Sequence, residues 1–341
     1  MSGAQVNLYS DTQTLPSAGM RRAIAAAEVG DEQRGLDPTV NTLQERVAEL
    51  LGHEAALFLP SGTMCNQIAL RLHARPLGDE VYLHRGSHPV IAEAGGAAAL
   101  AGAQLFELGG AGGMFDAAAL EAALRDPRDR HQPRSRLVCV EQTTNMGGGR
   151  VWPLAELESV LDVAERNGLR SHLDGARLLN AVVASGVSAA EYARGFDTAW
   201  IDFSKGLGAP LGACLAGSAE TIEEAWRYKQ MYGGAMRQAG IVAAGALWAL
   251  DHNVERLAED HANARALAEG LAAIDAVTID PATVETNIVI FEVPDPIALL
   301  TALAERGIEL SAFGDRVRAV THLDVDAAAI DRTLAAIREL L

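Results

Sequence analysis

The sequence predicts an α/β protein with a mostly parallel sheet in a large lobe, followed by a small C-terminal α+β lobe. Three observations predict it. Short apolar runs alternate with helix-length segments from Ala55 to Ala216, which is the pattern of strands joined by crossover helices. The tail after Asn287 reads β-α-β-β-α instead. The 341 residues, 49% hydrophobic and 21% charged, suffice for a large core and two lobes and are wrong for disorder.

Residues 5–14 read as an extended arm. Pro16 opens a helix over Ser17–Ala27, with Gly30 beyond its end. Val40, Leu43, Val47, Leu50 and Leu51 share one helical face, and Gly52 stops that helix. Ala55–Leu59 is a strand, Pro60-Ser61-Gly62-Thr63 a turn and Met64–His73 a helix. Glu80–His84 is a strand, Glu93–Ala101 a small-residue helix, Gln104–Leu108 a strand and Ala117–Leu124 a helix. Leu137–Glu141, Arg170–Asp174, Thr198–Phe203 and Ala213–Ala216 are strands, with a helix over Leu154–Asn167. Helices over Ile222–Leu250 and Val254–Ala272 join the lobes. In the tail, Asn287–Val293, Ile308–Ser311 and Arg316–Thr321 are strands, and Pro296–Glu305 and Ala327–Leu340 are helices. The expected division is an arm over 1–14, a large ligand-binding domain over 15–250 and a small domain over 251–341.

A net charge of −17 argues against a nucleic-acid or anionic-membrane partner. Cys65, Cys139 and Cys214 are odd in number, lie in apolar surroundings and form no CxxC pair, so reduced core cysteines in a cytoplasmic protein are expected. Met1-Ser2-Gly3-Ala4-Gln5 lacks a basic region followed by an apolar run, so no signal peptide is expected. The apolar stretch Ile241–Leu250 falls short of the roughly 20 residues a bilayer requires.

Ligands of open α/β sheets sit at the carboxyl ends of strands, and four such ends carry polar groups here. Lys205, in Ser204-Lys205-Gly206-Leu207-Gly208, follows the apolar Thr198–Phe203. A lysine there must be paired or consumed, and an imine to an aldehyde cofactor would consume it; otherwise it is a solvent-facing loop lysine. Asp174 ends Arg170–Asp174 and is either a helix cap or an acidic partner. A lysine imine and an acid opposite a pyridinium nitrogen suit pyridoxal phosphate. Ser61-Gly62-Thr63 precedes a helix and can cap it or bind a phosphate. Glu141-Gln142-Thr143-Thr144-Asn145 is a polar turn at a fourth strand end. His88 can lie on an aromatic ring, act as a base or serve structure. Arg177 and Arg318 can fork onto a carboxylate, or Arg318 can form a surface ion pair. No third ligand accompanies His172 and Asp174, so no metal is expected.

These motifs resemble the low-specificity L-threonine aldolases, in the β-eliminating-lyase branch of fold-type I (aspartate-aminotransferase-like) pyridoxal-phosphate enzymes. The resemblance runs over nearly the whole chain. It rests on Ser10-Asp11-Thr12, Asp37-Pro38-Thr39-Val40-Asn41, Leu59-Pro60-Ser61-Gly62-Thr63, Glu93-Ala94-Gly95-Gly96, Asp174-Gly175-Ala176-Arg177, the Lys205 motif, Gly233-Gly234-Ala235-Met236-Arg237-Gln238 and Val320-Thr321-His322-Leu323-Asp324-Val325.

The resemblance implies retro-aldol cleavage of a β-hydroxy-α-amino acid, of the L-threonine or L-allo-threonine type, to glycine and an aldehyde. It implies that Lys205 carries the cofactor, Asp174 pairs with the pyridine nitrogen and His88 stacks on the ring. Gly62, Thr63 and Ser204, beside Ser61, would hold the phosphate, with Arg237 supplied by a neighbouring subunit. Arg177 would meet the ring hydroxyl and the substrate carboxylate, with Ser10 and Arg318 completing the clamp. A dimer is the implied minimal unit and a homotetramer the common assembly. β-Elimination or transaldol exchange on the same scaffold, and a pyridoxal-phosphate protein without turnover, are the alternatives.

The chain also departs from that pattern. The family has a histidine where Thr144 stands, near the substrate β-hydroxyl, so the stereopreference and the base stay open. Arg34 stands where the family has tyrosine and could meet a second anionic group on the substrate or point to solvent. Gln230 replaces a lysine of some relatives, so one less cation is expected near the phosphate.

Overall fold

The computed structural model describes residues 6–74 and 77–341; the first five residues of the expected arm lie outside them. Among the described residues, the strands in chain order are β1 (Val6–Asn7), β2 (Ala55–Leu59), β3 (Glu80–His84), β4 (Gln104–Leu108), β5 (Ser135–Glu141) and β6 (Arg170–Asp174). They continue as β7 (Thr198–Asp202), β8 (Ala213–Gly217), β9 (Ile288–Phe291), β10 (Ile308–Glu309), β11 (Ser311–Phe313) and β12 (Arg316–Val320).

A seven-stranded sheet in the order β2-β8-β7-β6-β5-β3-β4 forms the large lobe. β8 runs antiparallel to both neighbours, while the β7-β6-β5-β3-β4 pairings are parallel. β2 and β7 therefore point the same way across β8. The carboxyl ends of β2, β5, β6 and β7 share one edge, which is where a parallel sheet presents its loops.

Local sequence explains the helices around it. Asp37 caps helix Pro38–Leu51, with proline in its first turn, and Gly52 closes it at φ 68°. Ser61 caps helix Gly62–His73 by accepting from the Met64 N–H at 3.2 Å. Gly62 is required there: a Cβ would lie 2.2 Å from the Trp200 ring, so a side chain would push the helix start off the sheet.

The tail forms a three-stranded antiparallel sheet, β11-β12-β9, packed with helices Leu257–Ala272, Pro296–Glu305 and Ala327–Leu340. Its core, including Leu267, Phe291, Val317 and Ile337, is distinct from the core around the large sheet. The arm crosses to this tail: β1 pairs in parallel with β10, and Val6 and Leu8 are buried in its core.

Several expected elements come out differently. The long helix over Ile222–Leu250 is two helices, Ala219–Met231 and Gly240–His252, because the chain turns at Gly233, at φ 76°, and Gly234, which backs onto Met64. The helix expected over Glu93–Ala101 winds only at Ala97–Ala101, since Ala94 and Gly95 adopt positive φ. Ile308–Ser311 splits between β10, which meets the arm, and β11, which meets β12. Helices Leu178–Ser185 and Ala189–Ala193 went unrecognised. Leu178–Ser185 is apolar on most of its surface, which hides helical period.

Candidate active site

The shared strand edge opens into a cleft of about 520 Å³. It brings together ten of the expected residues: Ser10, Ser61, Gly62, Thr63, His88, Asp174, Arg177, Ser204, Lys205 and Arg318. Three others lie elsewhere.

Lys205 follows β7 and is held from its own strand end. Its Nζ donates to Asp202 Oδ2 at 3.0 Å and stands 5.4 Å from the centre of the Trp200 ring. Asp202 Oδ1 accepts from both the N–H and the hydroxyl of Ser204 at 2.7 Å. One carboxylate thus shapes the loop and neutralises the amine. The arm reaches the same loop through Thr14, whose hydroxyl donates to the Lys205 carbonyl at 2.8 Å.

Asp174, at the end of β6, is buried at the cleft floor. Its Oδ1 accepts from the Ala176 N–H at 3.1 Å and its Oδ2 from Asn66 Nδ2 at 2.7 Å. Burial pushes this carboxyl up, against the pull of Asn66, Lys205 and His88. A cationic partner at this position would reverse that shift.

Asn66 ties Asp174 to the other wall. Its Nδ2 also donates to Glu93 Oε1 at 2.8 Å, while its Oδ1 accepts from Trp200 Nε1 at 2.8 Å. Indole N–H can only donate, so the amide orientation is determined. His172 Nε2, 3.1 Å from the same Oδ1, must then carry the ring proton. His172 is neutral, since burial drives it down to about 3, and its Nδ1 accepts from Thr198 at 2.8 Å.

His88 faces the cleft with its Nδ1 2.7 Å from Glu93 Oε1. That hydrogen bond raises its pKa against the effect of burial. Glu93 is itself buried and also accepts from Gln67. It stands in a turn where Ala94 is held at φ 52°, a costly conformation for a residue with a Cβ.

Two guanidinium groups close the cleft. Arg177 forks onto Asp11, with Nε donating to Oδ2 at 2.7 Å and Nη2 to Oδ1 at 2.6 Å. Asn287 donates to the same Oδ2 at 3.1 Å. Burial alone would raise the Asp11 carboxyl, but Arg177 more than offsets this and holds it well below the usual carboxylate range. Arg318, on β12, donates from Nη2 to Asn145 Oδ1 at 2.8 Å and from Nη1 to the Tyr9 carbonyl at 3.4 Å. Its Nε is buried without a partner. Burial, and then the Arg177 charge, lower Arg318 to about 10. Two guanidiniums at one end of the cleft, Arg318 with an unpaired Nε, suit a carboxylate.

The three remaining residues do not line this cleft. Thr144 is buried, donates to the Gly112 carbonyl at 2.7 Å and lies behind the cleft wall, which Asn145 and Met146 form. Arg34 and Arg237 are exposed or half-exposed and stand outside this chain's own cleft. They occupy one surface, where Arg237 Nη1 lies 3.2 Å from Asp31 Oδ2 and the Arg237 carbonyl accepts from the Glu32 N–H at 2.9 Å.

The residues of this cleft fit pyridoxal phosphate. They are a cleft lysine on a strand-end loop, a buried carboxylate on the floor, an imidazole at the wall and the start of helix Gly62–His73 with no side chain at position 62. Sequence reasoning missed Asn66, Glu93, Asp202 and, as the partner of Arg177, Asp11. Only Glu93 and Asp11 fell within the motifs that carried the resemblance.

Comparison with known proteins shows the family. Residues 7–294 match the family described as β-eliminating lyase. The chain is 41% identical over 325 residues to the low specificity L-threonine aldolase of Escherichia coli (strain K12), covering 94% of each. It is 39% identical over 345 residues to low-specificity L-threonine aldolase 1 of Arabidopsis thaliana, covering 98% of this chain and 96% of the relative. A solved putative L-allo-threonine aldolase from Listeria monocytogenes superposes with a TM-score of 0.83 at 24% identity, covering 99% and 97% of the two chains. A Sphingomonas wittichii serine palmitoyltransferase superposes at 0.76 with 17% identity, covering 100% of this chain and 91% of that one. The fold is that of fold-type I pyridoxal-phosphate enzymes, and the chain belongs to the β-eliminating lyase family, with the low-specificity L-threonine aldolases.

Proposed function

We propose that this chain is a pyridoxal-phosphate-dependent aldehyde-lyase. It cleaves β-hydroxy-α-amino acids of the L-threonine or L-allo-threonine type to glycine and an aldehyde by breaking Cα–Cβ. The observation that carries the reading is the pair of guanidiniums, Arg177 and Arg318, with its unused Nε, beside the Lys205 amine and above the Asp174 carboxylate. A cofactor site alone requires no such clamp.

Lys205 would hold the cofactor covalently, Asp174 would face its ring nitrogen and His88 its ring. Ser61, Gly62, Thr63 and Ser204 would hold its phosphate at the free N–H groups of helix Gly62–His73. When bound, pyridoxal phosphate supplies the electron sink that stabilises negative charge left at Cα. The protein's part is to choose the bond. Arg177, Arg318 and Ser10 fix the substrate carboxylate, and this aligns Cα–Cβ for scission. His88 Nε2 is the group suited to take the β-hydroxyl proton, because Glu93 anchors the opposite ring nitrogen. Thr144 donates its hydroxyl hydrogen to Gly112, so it would at most position a water through its lone pairs.

The active unit in this reading is a homodimer, assembled further as a homotetramer. Arg237 of one subunit would reach the phosphate site of the other and Arg34 its cleft mouth, which accounts for their position outside their own cleft. Exposed Tyr9, Leu36 and Ile241 suit a covered face. A cytoplasmic location is supported by three free, buried cysteines.

The test is incubation of pyridoxal-phosphate-loaded protein with L-threonine and L-allo-threonine, quantifying glycine and acetaldehyde. Equimolar products, lost in Lys205→Ala, are expected. Pyruvate and ammonia instead would replace the reading with β-elimination, and turnover surviving in Lys205→Ala would remove the lysine assignment.

A further inference from the structure

Glu141 ends β5 as a buried carboxylate in the cleft wall. Neither oxygen meets a cation directly. Oε2 accepts from the His88 N–H at 2.9 Å, and Oε1 accepts from the Asn145 N–H at 2.6 Å. These two residues serve different halves of the site. The His88 ring is held by Glu93, on the side expected to face the cofactor. The Asn145 side chain accepts from Arg318 at 2.8 Å and so orients the substrate clamp.

Two backbone N–H groups can be satisfied by a hydroxyl or a water at far lower cost than a buried acid. The cost here is visible, because burial, with the Asp174 charge adding to it, pushes the Glu141 carboxyl up to about 7. Arg177 and Arg318 feel its charge from beyond hydrogen-bond distance. An acid retained at that expense, bonded to one backbone on each side, is a link between them.

We propose that Glu141 is a positioning residue that couples the cofactor-facing His88 to the Arg318–Asn145 clamp, so that cofactor and substrate carboxylate strengthen each other's binding. This rests on the function proposed above. Binding coupling is reciprocal, so it is measurable from either ligand.

The test uses 3-hydroxybutyrate, which carries the carboxylate and β-hydroxyl of the substrate but no amine, so it occupies the clamp without forming an imine to the cofactor. Pyridoxal-phosphate affinity is titrated by fluorescence with and without it, in wild type, Glu141→Gln and Glu141→Ala, with thermal midpoints as a check on folding. The added carboxylate is expected to tighten wild-type cofactor binding several-fold. That factor should shrink in Glu141→Gln, which keeps one acceptor, and approach one in Glu141→Ala. KM for L-threonine should rise about 10-fold in Glu141→Gln, the scale of one lost hydrogen bond to a charged group, with a smaller change in kcat. An unchanged effect of 3-hydroxybutyrate in folded Glu141→Gln would overturn the proposal, as would a loss confined to kcat. The isosteric variant decides the matter if Glu141→Ala fails to fold. Wild type that binds both ligands cooperatively but does not cleave L-threonine would sink the aldolase reading and leave this coupling intact.

Discussion

Asn66 donates to Asp174 at 2.7 Å and to Glu93 at 2.8 Å from the same amide nitrogen. One neutral side chain thereby bridges two buried carboxylates, Asp174 on the cleft floor and Glu93 behind His88. Its other atom is fixed by Trp200, so the amide cannot rotate to relieve a substitution.

Asn66→Asp would replace that donor by an acceptor facing two acids. The new carboxyl would have to keep its proton, so its folded pKa would lie above its unfolded value. A raised acid contributes stability at low pH and loses it as pH rises. The thermal midpoint of Asn66→Asp should therefore fall, relative to wild type, as pH goes from 5 to 8. Parallel curves for the two proteins would show that the amide does not bridge the acids.

Asp11 and Arg177 form a buried bidentate pair that ties the arm to the sheet edge. Asp11→Asn keeps the shape and leaves the guanidinium charge uncompensated. A broken buried pair costs about 3–5 kcal/mol, to be read from urea unfolding. Arg177→Lys should not restore the loss, because a lysine cannot fork. Asp11 is held below its ordinary pKa, so its contribution is present above about pH 4, its unfolded range, and disappears on further acidification. A cost under 1 kcal/mol would place the arm elsewhere in solution.

The sequence announced the sheet edge better than the site built on it. Strand ends at Asp174 and before Lys205 were legible because apolar runs stop there in glycine-containing turns. β8 read as a strand, but its direction did not, since reversal depends on the connection and not on the apolar pattern. Asn66 was invisible: a single asparagine within a helix is ordinary, and only the fold brings Glu93, Asp174, His172 and Trp200 around it. Arg177 was recognised as an anion binder but not as half of an ion pair, because Asp11 meets it across 166 positions of chain. Thr144 shows the same limit. Position in a motif gave its neighbourhood, while the strand-end geometry turned its hydroxyl to Gly112 and gave the cleft to Asn145 and Met146.

Glu93 controls the charge of His88. Its hydrogen bond raises the imidazole above the ordinary 6.5, so the pair contributes stability below that value and loses it as pH rises through the folded pKa. Glu93→Gln removes the charge while burial continues to act. His88 should then titrate lower, below 6.5, followed by NMR of its labelled imidazole. The acid-side limb of the activity profile, where a base loses activity by taking up a proton, should shift to lower pH with it. An unmoved imidazole titration would mean that Glu93 positions the ring without setting its proton.

Thr144 gives the sharpest separation of neighbourhood from contact. Its hydroxyl donates to Gly112 at 2.7 Å, and its side chain packs so closely on Gly113 that a Cβ there would lie 2.8 Å away. Thr144→Val keeps the volume and removes the donor, at about 1–2 kcal/mol for the carbonyl left short of a partner. The preference between L-threonine and L-allo-threonine should stay at the wild-type ratio, because the deleted atom does not face the substrate. Thr144→His is larger and must displace the 109–113 loop, so it should lose more stability than Thr144→Val before any selectivity is read. A changed diastereomer ratio in Thr144→Val with an unchanged thermal midpoint would put the hydroxyl in the cleft after all.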